Sequence, residues 1–151
     1  MPDPLFDSRT ARLDLPLLFA GQAQKEGFVN EITTRIDALL HGAIEAELAV
    51  PPAAPADGQM WLVAAGASGA WLGQSGKLAA RQSGNWLFVT PRDGIKLLNR
   101  ASGQEIRYSV SWKSALRPGL PSGGAVIDAE ARTALAAILT ALTTAGIVPG
   151  I

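Results

Sequence analysis

The side chains best suited to chemistry in this chain are aromatic. Trp61, Trp71, Trp86 and Trp112 all fall between positions 61 and 112, with Tyr108 in the same stretch. Tryptophans held on a rigid sheet can stack on sugar rings and other flat ligands, which makes Trp71, Trp86 and Trp112 candidate contacts for a carbohydrate or a partner. The competing reading is core packing, because an indole ring is a large apolar surface that small β domains usually bury. Basic residues lie between the tryptophans. No nucleic-acid-binding motif accompanies them, and the sequence pI is about 6.6, so no nucleic-acid partner is expected.

Other chemistry lacks its residues. His41 is the single histidine and there is no cysteine, which excludes disulfides, thiolate nucleophiles and zinc–thiolate sites. No serine sits in a Gly-x-Ser-x-Gly elbow. The glycine-rich run from Gly66 to Gly76 has neither Gly-Lys-Ser/Thr nor the Gly-x-Gly-x-x-Gly fingerprint, and its glycines suit tight turns. Carboxylates do not cluster at calcium-loop spacing. Thirteen acids can always supply a pair, so paired carboxylates single out no hydrolase site. The expectation is a protein that is not an enzyme, with no catalytic residue, cofactor or metal.

No apolar run approaches the roughly 18 residues that span a bilayer, and Met1-Pro2-Asp3-Pro4 does not open a secretory signal. A cytoplasmic origin with no membrane partner is therefore expected. Of the 151 residues, 48% are hydrophobic and only 17% charged, which leaves surface for a partner to cover. Net charge is zero, yet the charges are segregated. Positions 1–57 hold nine acids (Asp3, Asp7, Asp14, Glu26, Glu31, Asp37, Glu45, Glu47, Asp57) and four bases (Arg9, Arg12, Lys25, Arg35). Positions 77–117 hold eight bases (Lys77, Arg81, Arg92, Lys96, Arg100, Arg107, Lys113, Arg117) against Asp93 and Glu105. Opposite blocks of this kind can pair within a subunit, pair between neighbours, or leave a basic face for an anion.

The elements that must position these residues read as α+β, in three parts. Residues 1–21, with three prolines before position 17, read as an extended arm. Residues 22–117 hold a helix and a β domain. Phe28, Ile32, Ile36 and Leu39 recur at helical spacing between Gln22 and Leu40, with a weaker continuation over Ala43–Ala49 that Pro51-Pro52 ends. The period then drops toward two. Strands are expected at Met60–Ala64, Ala70–Leu72, Lys77–Gln82, Trp86–Thr90, Ile95–Asn99 and Glu105–Trp112, separated by glycine turns, as a small antiparallel meander or barrel. The expected core is Phe28, Ile32, Ile36, Leu62, Leu87 and Val89. Hairpin-like stretches around Ser83-Gly84 and Ser102-Gly103 look alike without amounting to a sequence repeat. Residues 118–151 form a linker and a C-terminal helix capped by Asp128, with Leu135, Ile138, Leu139 and Leu142 in one apolar stripe. That stripe is the candidate oligomer contact, or else it lies on the β domain.

One resemblance is specific. Thr10 to Leu18 lead into Gly21-Gln22-Ala23-Gln24-Lys25, then Asn30-Glu31 and Arg35-Ile36-Asp37-Ala38-Leu39. Pro52 to Gly58, Gly66 to Trp71, Gly84-Asn85-Trp86 and Thr90 to Gly94 continue it. Together these resemble a domain family of formerly unknown function found in phage tail proteins and gene transfer agents. After Lys25 the chain departs from the usual pattern, with Glu26-Gly27-Phe28 in place of a histidine-containing stretch.

The resemblance implies a structural virion protein, a head spike base or adaptor that joins a capsid vertex to a receptor-binding fibre and aids attachment to host capsular polysaccharide. Many relatives carry this domain at the front of a longer fibre, so the short length favours a base. The implied partners are the capsid protein, a spike fibre protein and further copies of the chain, as a homopentamer on a five-fold vertex. The family assigns no catalytic residue. The alternative is a carbohydrate-binding module of a phage tail or fibre.

Overall fold

A computed structural model describes residues 15, 16, 18, 25–124 and 128–150. The expected extended arm lies almost wholly outside them, although Pro16 is fully buried. The first helix, α1, runs over Lys25–Leu40. Its start as read, Gln22, falls outside the described residues. Glu31 and Arg35 lock one turn through a 2.9 Å ion pair at i,i+4 spacing. Gly42 then lets the chain pass close over a neighbouring strand. A Cβ there would stand 2.7 Å from Leu97 Cδ2 and 3.1 Å from the Lys96 carbonyl oxygen.

The weak helical continuation is not helical. Ala43–Ile44 and Glu47–Leu48 form two short strands, β1 and β2. These residues favour helix locally, but their backbone groups find partners elsewhere. Leu98 N–H donates to Gly42 O at 2.9 Å and Arg100 N–H to Ile44 O at 2.9 Å, while Glu45 N–H donates to Met60 O at 2.8 Å. Two sheets compete for one segment, and hydrogen bonds to both outweigh a propensity worth only tenths of a kcal/mol per residue.

The remaining strands are β3 (Met60–Val63), β4 (Leu78–Gln82), β5 (Asn85–Val89), β6 (Lys96–Asn99), β7 (Gln104–Ser109) and β8 (Ser111–Lys113). The α+β class stands, while the single antiparallel meander resolves into two mixed four-stranded sheets. One has the order β2-β3-β4-β5 and the other β1-β6-β7-β8. Each consists of a short parallel strand followed by three antiparallel ones. The architecture therefore repeats where the sequence barely does. Ser83 and Gly84, at φ 48° and 74°, make the two-residue turn between β4 and β5 that the twist of a hairpin favours.

Two expected strands change. Gly69–Trp71 is a 3₁₀ turn, because Trp71 folds back onto the sheet instead of extending it. Glu105–Trp112 breaks at Val110, whose φ of 61° reverses the chain so that Ser109 pairs with Ser111. A β-branched residue in that region is strained by about 1–3 kcal/mol. Asp93 Oδ1 holds the turn by accepting Val110 N–H at 2.8 Å.

Between the sheets lie Ile44, Met60, Leu62, Leu78, Ala80, Val89, Leu97 and Ile106, with Leu87 packed beside them. Leu62, Leu87 and Val89 thus take the expected core positions. Phe28 and Ile32 are only half-buried and Ile36 is exposed, since α1 buries none of its described residues and meets the core through Ala38 and Leu39 at its last turn.

The C-terminal helix α2 covers Ala129–Thr144, and Asp128 Oδ1 caps it by accepting Ala131 N–H at 2.8 Å. Its far end is clamped to β7. Glu105 N–H donates to Gly146 O at 2.7 Å. The buried Gln104 amide donates to Ile147 O at 2.8 Å and Ala115 O at 2.7 Å.

Candidate functional site

Alternation along β3, β4 and β5 sends Met60, Leu62, Leu78, Ala80, Leu87 and Val89 to one face of the first sheet and Trp61, Val63, Ala79, Arg81, Trp86 and Phe88 to the other. That second face would be open in a two-layer fold. Here the connection between β3 and β4 covers it, with Trp71 as its anchor. Trp71 is 0% exposed, Trp61 is buried, and Trp86 is half-buried. The Trp71 and Trp86 rings meet edge-on with centroids 5.1 Å apart, Trp61 and Trp86 at 5.7 Å, and Trp61 and Trp71 at 6.3 Å. Each such pair adds about 0.5–1.5 kcal/mol beyond the area it buries. The Arg81 guanidinium carbon lies over the Trp86 ring, 5.0 Å from its centroid.

Trp112 stands apart. It packs on Tyr108, 5.3 Å away, and its Nε1 donates to Gly76 O at 3.0 Å. Since Gly76 leads into β4 and Trp112 belongs to β8, this bond ties one sheet to the other. The three candidate stacking residues therefore share no surface. Trp71 offers no face to a ligand, Trp86 is overlain by arginine, and Trp112 serves as an internal staple. The alternation of β3 and β5 signals that Trp61 and Trp86 share a face. Nothing local signals that the loop carrying Trp71 returns to cover it.

The leucine stripe of α2 also divides. Leu139 is buried and Leu142 half-buried, whereas Leu135 and Ile138 face outward at 45% and 54% exposure. The stripe therefore does not act as one face: its later residues are covered and its earlier ones are open. Leu40, at the end of α1, is 85% exposed, and Leu116, in the irregular segment that follows β8, is 87% exposed.

A cleft of about 190 Å³ gathers Thr34, Asp37, His41 and Arg81 at the end of α1. Asp37 and His41 make no hydrogen bond among the described residues, and the Thr34 hydroxyl donates to Asn30 O at 2.8 Å. The cleft thus lacks an oriented acid–base pair. Among the described residues no three histidine or acidic side chains are placed to hold a metal ion, and no helix is long and apolar enough to cross a membrane. The segregated charges pair partly within the subunit. Arg100 meets Glu45 at 2.9 Å, joining the two blocks, and Lys96 meets Glu105 at 3.0 Å.

A family profile described as a protein of unknown function, DUF2793, matches residues 29–113. Those residues cover most of α1 and all eight strands and leave α2 outside. No curated protein matches the chain.

Proposed function

The chain belongs to the DUF2793 family, and on that footing we propose that it is a non-catalytic structural protein of a phage-like particle. In this reading it is a spike base or adaptor that joins a capsid vertex to a receptor-binding fibre and aids attachment to host capsular polysaccharide. The particle is its location, after assembly in the bacterial cytoplasm. The observation that supports the reading is the number of large apolar side chains left exposed on the helices, the connections and the strand edges. Leu40, Leu116, Leu135 and Ile138 are exposed on the helices and the segment between them. A chain that buries Trp61 and Trp71 while leaving leucines exposed, among them Leu40 and Leu116, is arranged for protein contacts. The resemblance through Gly21-Gln22-Ala23-Gln24-Lys25 supplies the kind of particle.

The carbohydrate-binding alternative draws less support, because Trp71, Trp86 and Trp112 offer no shared platform. Assembly as a homo-oligomer, five copies on a five-fold vertex, completes the proposal. Electron microscopy of particles bearing a tagged chain tests it. Density at the vertices, and its loss when the chain is deleted, is the expected result. Particles that lack the tag everywhere would refute the proposal.

A further inference from the structure

The outer face of the second sheet carries like charges where a sheet should avoid them. Arg107 on β7 pairs directly with Lys96 on β6 and with Lys113 on β8. Directly paired residues share a face, with Cβ atoms about 4.5–5.5 Å apart, and like charges so placed are destabilising. The row Lys96–Arg107–Lys113 spans two strand spacings, about 10 Å. All three residues are exposed. One carboxylate answers them, Glu105, and it is engaged by Lys96 at 3.0 Å. Among the described residues, the Arg107 and Lys113 side chains make neither an ion pair nor a hydrogen bond. Both line a concavity of about 330 Å³ together with Ser114 and, from the turn beyond α2, Ile147. The aromatic residues of these strands, Tyr108 and Trp112, lie on the opposite face by alternation, and Trp112 packs on the core. The face therefore offers no stacking platform for a sugar ring or a base. What it offers is a row of donors for carboxylates.

We infer that this face docks the acidic N-terminal half of a second copy of the chain, through Lys96, Arg107 and Lys113 on one subunit and Glu26 and Asp37 on the next. The inference rests on the homo-oligomer reading above and assigns its contact. Charge complementarity selects the occupant, since positions 1–57 carry nine acids against four bases. Glu31 and Glu45 are satisfied within the subunit. Glu26 and Asp37 are exposed and make no ion pair among the described residues. Eleven helical positions separate them, which brings both to one face of α1 about 16 Å apart. That span matches a 10 Å backbone row extended by long Lys and Arg side chains. Acidic helix on one copy against basic sheet on the next is a head-to-tail contact, the kind that closes into a ring.

Sedimentation of the full chain at low and high salt tests the contact. The double variant Arg107→Glu/Lys113→Glu should self-associate about tenfold more weakly than the parent at low salt, and high salt should bring the parent close to the variant. The neutral pair Arg107→Gln/Lys113→Gln should fall between them. Mixing the Glu variant with Glu26→Lys/Asp37→Lys should give tighter association than either shows alone. Association unchanged in the Glu variant but lost in Ile138→Asp overturns this contact and leaves the oligomer reading standing. A parent chain that is monomeric at both salts overturns both. Weaker retention on a sulfated polysaccharide with self-association unchanged also overturns the inference, in favour of an anionic glycan.

Discussion

The two sheets share one strand arrangement and differ in their outer faces. In the sheet β2-β3-β4-β5 that face holds Trp61, Val63, Ala79 and Trp86, and the loop bearing Trp71 seals it. In the sheet β1-β6-β7-β8 the matching face holds Lys96, Glu105, Arg107 and Lys113 and stays open. The centre of the first sheet is thus covered on both sides, with β3 buried at every position and β4 buried over its first three residues. The second alternates, as β7 does between buried Gln104 and Ile106 and exposed Glu105 and Arg107. The same backbone plan yields a stability centre in one half and a surface free for recognition in the other. The difference lies in a single connection, long enough to fold back over one sheet and absent from the other.

The largest test of that difference is Trp71→Ala. It empties the centre of the aromatic cluster and should cost about 3–5 kcal/mol in denaturant unfolding, as large-to-small changes at buried aromatics do. Trp71→Phe should cost distinctly less. It keeps a ring and removes an indole Nε1 that is buried without a protein acceptor. Small losses in both variants would mean that the cluster contributes little as packing.

Gln104→Leu addresses the clamp between α2 and β7. It leaves the carbonyls of Ala115 and Ile147 without the amide that donates to them. The expected loss is about 1–3 kcal/mol, from two hydrogen bonds worth about 0.5–1.5 kcal/mol each. Hydrogen exchange should rise in the C-terminal turn more than in β3 or β4. Uniform loss of protection would show instead that α2 and the β body unfold as one unit.

Arg107→Gln should have the smallest effect, and with the opposite sign. Removing the middle cation of the row relieves two like-charge neighbours and should stabilise the isolated subunit by up to about 1 kcal/mol at low salt, with the gain fading at high salt. A destabilisation would show that Arg107 belongs to the fold rather than to a surface held open for a partner.

Much of this architecture is legible along the chain. Asp128 followed by Glu130 and a leucine–alanine pattern marks α2, because a cap and an apolar stripe are properties of neighbouring residues. Alternation between glycine turns places β3 to β6, and the start of β7, to within a residue. The bare chain also favoured burial of tryptophan over display, and Trp61 and Trp71 are buried. The candidate site was less legible. Trp71, Trp86 and Trp112 are separated by strands whose faces cannot be ranked before the sheets are stacked.

What tertiary structure alone decided has a common cause. Residues 43–48 are good helix formers, yet they become two strands because both sheet edges supply hydrogen bonds from positions far along the chain. Ala70 and Trp71 leave the strand pattern because the indole finds a more fully buried place against Trp61 and Trp86. Ile36 keeps the helical period of a core residue but remains exposed, because only the last turn of α1 reaches the core. Local sequence determines which residues can form a helix, a strand or a turn, through capping, periodicity and permitted dihedral angles. Which of those surfaces ends up buried depends on a partner that the chain brings from elsewhere, and the hydrogen bonds and apolar area gained there exceed the small local preferences they override.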